Sequence, residues 1–317
     1  MLRFETDGFA KWNAAQKLAL DCIVGCYNSP NTAWNLSDST IAAFQHVLED
    51  ETIEHALRAE LLTPPGFEEA AAGIKMVDVS LLEDARDFFK TKLSLGLYES
   101  AKSIYQTLWQ QEDHKMHGQA YGRRKLRNIC LWILMKADEA RTIQTCQRQF
   151  SQAKTMTDQI ASFGLLVNCS DKPTRPQAIE DFYQQWKDDE LVLDKWFTLQ
   201  ATCELPGTIT LVHDLLFHPA FNIKNPNKVR ALVGAFSQSN PRHFHAIDGS
   251  GYVFLTEMLL TMDKLNPQIA ARLATPFTRS QRLDTKRQDL MRHQLERLSG
   301  ENLSRDLREL VSKSLGG

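Results

Sequence analysis

The chain has 317 residues, 43% hydrophobic and 24% charged, the composition of an ordinary folded protein rather than a disordered or membrane-embedded one. Its length exceeds that of one round core, so two packed lobes or one elongated array are expected. With 37 Lys and Arg against 39 Asp and Glu the net charge is -2, which provides no global field toward nucleic acid or an anionic membrane.

Met1 to Gly8 lack the apolar core of a signal peptide, and no apolar run approaches the roughly 18 residues of a membrane span. A cytoplasmic location is therefore expected. Trp12, Ala15, Leu18, Ala19 and Cys22 form a stripe at helical spacing, closed by the polar cluster Asn28 to Asn35 with Pro30 inside it. Ser37 is placed to cap the next helix, whose apolar face runs from Thr40 to Leu48. After the break at Pro64, Pro65 and Gly66, the pattern predicts two helices, Val79 to Leu95 and Leu97 to Gln110, separated by Gly96. Further helices are predicted over Arg124 to Lys136, Glu139 to Gln152, Thr157 to Val167, Pro176 to Lys187 and Val192 to Thr202. Pro206-Gly207 interrupts the pattern and marks a lobe boundary near 205–207. In the last third, Asn225-Pro226, Asn240-Pro241, Asp248-Gly249 and Asn266-Pro267 impose ordered turns, each followed by a helix. The expected class is all-α: a superhelical stack of antiparallel helix pairs, a HEAT/armadillo-like solenoid, without a crisp repeat signature.

A zinc peptidase of the common type needs His-Glu-x-x-His, because two histidines four apart face one metal and the glutamate activates water. None of the nine histidines stands four residues from another. His114 and His117 are three apart in a polar stretch and read as solvated surface; His243 and His245, flanking Phe244, read as capping or packing residues. The six cysteines, Cys22, Cys26, Cys130, Cys146, Cys169 and Cys203, read as free thiols, mostly in apolar helices. Cys22 and Cys26 alone offer too few ligands for a structural zinc. Asp248-Gly249-Ser250-Gly251-Tyr252 lacks the first glycine and the preceding strand of a nucleophile elbow. Phosphate-binding glycine loops are absent as well. The basic runs Arg123-Arg124-Lys125-Leu126-Arg127 and Arg279 to Arg287 are interleaved with apolar helix positions and read as solvated faces or ion pairs, not a nucleic-acid surface. By residue pattern the chain is a helical array without a catalytic centre.

Its markers resemble, in order, those of the C-terminal helical domain of bacterial aminopeptidase N, a zinc metallopeptidase family. Phe9, Lys11, Trp12, Asn13, Ala14, Ala15 and Gln16 are similar to its opening motif; Leu61 to Pro64, then Arg124, Leu126, Arg127 and Asn128 with Cys130-Leu131, Met156 to Asp158, and Leu193 to Phe197 with Gln200-Ala201 follow. The densest agreement begins at Asn225-Pro226-Asn227-Lys228-Val229-Arg230. It passes through Gly234 to Phe236, Asn240-Pro241, Phe244 to Ala246, Asp248 to Tyr252 and Asn266-Pro267-Gln268, and ends at Ala271-Arg272-Leu273 and Asp284 to Gln288.

The resemblance implies that residues 1–317 are the C-terminal domain of a peptidase that removes N-terminal amino acids from peptides. It implies that zinc and every catalytic residue sit in a catalytic domain outside this chain, so that no cofactor, metal or catalytic residue is expected within it. The chain's start at Met1 and end on Gly316-Gly317 read as those of a fragment. Its partners would be the N-terminal and catalytic domains of the same polypeptide, and peptide substrates. The domain would close over the active site and line a peptide channel, with Arg230 and Arg272 facing it. A guanidinium suits that role, since its fixed fork of donors fits peptide carbonyls or a carboxylate and it stays charged at any working pH. The competing reading is a free-standing helical-repeat scaffold that binds a protein partner. The two differ in whether the chain presents a continuous exposed groove or a large face complementary to a neighbouring domain.

Overall fold

The computed structural model describes residues 2, 5–30, 32–112 and 116–316. His114 lies outside the described residues. The chain is all-α; among the described residues the β-type pairing is one isolated bridge between Val77 and Leu283. It divides into two compact units, one made of Met1–Gly73 and Leu81–Thr174, the other of Ile74–Ser80 and Arg175–Gly317.

The first unit contains α1 (Gly8–Tyr27), α2 (Asp38–Glu49), α3 (His55–Leu62), α4 (Phe67–Ala71), nearly all of α5 (Val79–Gln110), α6 (Gly118–Ala137), α7 (Glu139–Gln152) and α8 (Met156–Val167). Side chains set the boundaries. The Thr40 amide donates to Ser37 Oγ at 3.2 Å to start α2, and Asp138 closes α6 while its Oδ1 accepts from the Arg141 amide to open α7. Helix α6 packs on α7 and α7 on α8, and α3 lies against α6.

One expectation fails here. Val79 to Gln110 is a single helix of 32 residues, not two separated at Gly96. Gly96 faces Ile41 of α2 so closely that an added Cβ would lie 2.4 Å from Ile41 Cγ2. The glycine serves close helix packing, whose gain exceeds the cost of about 1 kcal/mol for glycine in a helix interior.

The basic run at Arg123 to Arg127 is part of the core of this unit. Arg124 and Arg127 are buried and share Glu112, at 3.2 and 3.0 Å, and Arg127 also binds Asp158 at 2.7 Å. Arg127 and Arg148 both lie over the Trp109 ring. Of the two readings left open for this run, ion pairing describes both arginines. A charge taken from water is tolerated only when paired and hydrogen-bonded in this way.

The second unit carries α9 (Thr174–Trp186), α10 (Glu190–Ala201), α11 (Thr208–Leu215) and α12 (Pro226–Val229), which continues through a π-helical turn (Arg230–Gly234) into α13 (Ala235–Ser239). Then come α14 (Pro241–Phe244), α15 (Ser250–Leu265), α16 (Pro267–Leu273), a 3-10 segment (Thr275–Arg282), α17 (Thr285–Ser299) and α18 (Arg305–Leu315). The lobe boundary expected near 205–207 falls inside this unit. There Gly207, at φ 86°, makes a tight turn between α10 and α11, which pack together. A left-handed residue reverses the chain without separating what it joins.

The asparagine–proline pairs start helices as expected. Asn225, Asn240 and Asn266 cap α12, α14 and α16, each with proline at the first turn. Asn240 also donates to the carbonyls of Ala201 and Cys203 at 3.0 and 2.9 Å, which ties α14 to the end of α10.

Candidate functional site

The segment Asn225–Arg230 is built outward from its cap. Asn225 Oδ1 accepts from the Asn227 amide at 2.9 Å. Lys228 turns inward, where its Nζ binds Glu190 Oε2 at 2.6 Å, Asp194 Oδ1 at 2.8 Å and the Glu190 carbonyl at 2.9 Å. Burial acts to lower the Lys228 pKa, but the hydrogen bonds and charges of Asp194 and Glu190 outweigh it and the net shift is upward. Lys228 is thus a satisfied internal cation.

Arg230 is the opposite case. From Lys228 through Ser237 it is the one exposed residue, and every other position is buried or half-buried. Its Nη2 donates to Asn227 Oδ1 at 2.9 Å, a neutral acceptor, and among the described residues no carboxylate pairs with it. Arg230 also opens the π-helical turn, in which the Ala235 amide donates to the Arg230 carbonyl five residues back. Single π turns inside α-helices are rare and concentrate at functional sites.

Arg272 is exposed near the end of α16, and its guanidinium likewise has no carboxylate partner among the described residues. The π turn packs against α16. A methyl group placed on Gly234 would lie 3.7 Å from Leu273 Cδ2 and 3.8 Å from Arg230 Cγ, so Gly234 has both the Arg230 stem and the residue that follows Arg272 near it. The two expected arginines therefore come from contacting elements, and both carry charge that the described residues leave uncompensated.

Other markers of this region hold the backbone. Gly251 passes so close to α14 that an added Cβ would lie 2.2 Å from the Phe244 carbonyl oxygen. His245 Nδ1 bonds to the Tyr252 hydroxyl at 2.9 Å. Burial, with Arg287 nearby, pushes the His245 pKa down to about 3, while burial raises that of Tyr252. Arg287 donates to the His245 carbonyl, Asp284 and Ser80 at 2.7, 2.6 and 2.6 Å. His243 bonds to the Glu204 carbonyl. The six cysteines are thiols rather than disulfides, and burial raises the pKa of Cys22, Cys26, Cys130 and Cys146. Among the described residues no group of three or more His, Cys, Asp or Glu is placed to hold a metal ion. Nor, among the described residues, is any helix long and apolar enough to cross a membrane.

Two features of the site escaped the sequence reading. The Asn227–Arg230 bond could have been found from the three-residue helical spacing of an amide and a guanidinium. The burial of Lys228 was signalled more faintly, by Glu190 and Asp194 four apart on one helix.

Residues 1–316 match the family described as "Domain of unknown function (DUF3458_C) ARM repeats". The chain belongs to this DUF3458_C family. Its similarity to aminopeptidases extends over almost its whole length. It is 37% identical to aminopeptidase N of Escherichia coli over 323 aligned residues, covering 99% of this chain and 36% of that protein. Against aminopeptidase N of Haemophilus influenzae it is 35% identical over 319 residues, with the same coverage of 99% and 36%. Among solved structures, that of Legionella pneumophila aminopeptidase A in complex with aspartic acid matches with a TM-score of 0.90 and 28% identity, over 99% of this chain and 37% of that one. This DUF3458_C domain thus spans about a third of the length of the relatives it matches.

Proposed function

We propose that this chain is the C-terminal helical domain of a zinc-dependent aminopeptidase that removes N-terminal amino acids from peptides. In this reading it closes over the active site of the preceding domains and lines the peptide channel. The similarity to aminopeptidases over nearly all of the chain supports the class of enzyme. The role of the domain is carried by one observation: Arg230 is the single exposed residue of an otherwise buried or half-buried segment, and its charge meets no carboxylate among the described residues.

Exposing an unpaired guanidinium is sensible where a ligand will supply the acceptor. A peptide carries carbonyl oxygens and a terminal carboxylate, both good partners for the guanidinium fork. Arg272, from the contacting α16, adds a second such donor. On this reading the zinc and the reacting groups belong to the remainder of the polypeptide, and the chain alone is inactive. The peptidase acts in the cytoplasm.

The test has two arms. The polypeptide that adjoins this chain should carry His-Glu-x-x-His with a downstream glutamate, and the full-length protein should release N-terminal residues from peptides and lose that activity with a zinc chelator. A full-length protein with neither the motif nor the activity would leave the free-standing scaffold as the better account.

A further inference from the structure

Asn227 stands in the first turn of a helix, where the backbone dipole ordinarily favours a carboxylate. It lies three residues before Arg230 on the same face and accepts from the guanidinium at 2.9 Å. An aspartate there would be stabilised by the helix end and would pair with Arg230, spending the positive charge inside the domain. The amide supplies the same acceptor geometry without charge. Meanwhile the carboxylates of Glu190 and Asp194, which reach this same helix, are both engaged by Lys228.

At the other end of the side chain, the Arg230 stem lies on the π turn, with Cγ 3.8 Å from where a Cβ on Gly234 would stand. The arginine is thus tethered at its head by one neutral bond, which reduces the rotamer freedom that a ligand would have to remove on binding. The remaining donors of the fork stay available.

We propose that Asn227 is a positioning residue for Arg230: it orients the guanidinium while leaving its full charge for the peptide. The inference rests on the channel reading of Arg230 given above.

The test uses the full-length enzyme with Asn227→Asp, Asn227→Ala and Arg230→Ala. KM and kcat are measured on a tetrapeptide and on a short aminoacyl amide that cannot reach this surface, with the melting temperature followed in parallel. Asn227→Asp keeps the bond but neutralises the arginine, and should raise KM for the tetrapeptide about as far as Arg230→Ala does, roughly tenfold. Asn227→Ala loosens the side chain but leaves its charge, and should raise it less. All three should leave kcat on the aminoacyl amide and the melting temperature unchanged. If Arg230→Ala raises KM while both Asn227 variants behave as wild type, the positioning role is wrong and the arginine's role stands. A normal KM in Arg230→Ala removes the arginine's role and this inference with it. Equal losses on the aminoacyl amide, or a milder effect of Asn227→Asp than of Asn227→Ala, would also overturn it.

Discussion

Replacing Gly251 with alanine puts the close approach of α14 and α15 to a quantitative test. By intrinsic propensity alone, alanine in a helix is favoured over glycine by about 0.5–1 kcal/mol. Here the added methyl would stand 2.2 Å from the Phe244 oxygen and 2.8 Å from its carbonyl carbon and Cα, whereas even a favourable C···O contact lies near 3.3–3.6 Å. The overlap is with backbone, so no rotamer change relieves it. The start of α15 must move away from Phe244, whose ring packs edge-on against Tyr252 and Phe236. Overpacking of this kind costs about 1–3 kcal/mol, occasionally more, and the backbone position puts Gly251→Ala near the top of that range. Urea unfolding of wild type, Gly251→Ala and Gly25→Ala measures it. Gly25 lies in α1 with nothing within 4 Å of its added Cβ, so that variant should gain up to about 1 kcal/mol from propensity. If Gly251→Ala is as stable as Gly25→Ala, the close approach and the reason given for this glycine are wrong.

Gly96→Ala should cost less, about 1 kcal/mol, because the atom it meets is a methyl of the Ile41 side chain; in an Ile41→Ala background, where that methyl is gone, urea unfolding should show most of this cost removed. Lys228→Met should destabilise by about 2 kcal/mol, since it leaves Asp194 half-buried without its cation while Glu190, 72% exposed, returns to water; unchanged stability would mean these ion pairs are energetically neutral. His245 predicts an acid-sensitive fold. Its folded pKa of about 3 lies below the unfolded value near 6.5, so as pH falls from about 6.5 toward 3 the unfolded chain binds a proton that the folded one refuses, and stability drops by roughly 2 kcal/mol at pH 5. His245→Asn, whose side-chain oxygen can take the place of Nδ1, should flatten that part of the stability–pH curve; a slope equal to that of wild type would assign the acid sensitivity elsewhere.

The helices that could be read from the sequence are those whose ends are written in side chains. Glu139–Gln152 was expected with the bounds it has, because Asp138 marks its start and the polar–apolar pattern runs unbroken. Gly96 misled because a glycine that ends a helix and one that admits a neighbouring helix look alike until the neighbour is known. Two short helices, α3 and α4, carry too few turns to establish a period. The burial of Arg124 and Arg127 could not be read locally, since their partners Glu112 and Asp158 come from elsewhere in the chain. Arg230 and Arg272 were picked out by resemblance to a family, not by pattern. What the fold adds is their exposure, the contact between their elements and the absence of a described carboxylate. The π turn beneath Arg230 has no sequence signature in its small and aliphatic residues, and only the backbone reveals it.

The central claim, that this domain offers its unpaired arginines to peptide substrates, is tested most directly by specificity constants of the full-length enzyme with Arg230→Ala and Arg272→Ala. Loss of one charge-assisted contact, about 1.5–3 kcal/mol, should lower kcat/KM on tri- and tetrapeptides by roughly ten- to a hundredfold and leave short aminoacyl amides untouched. Normal cleavage of the peptides, or an equal loss on the aminoacyl amides, would contradict it.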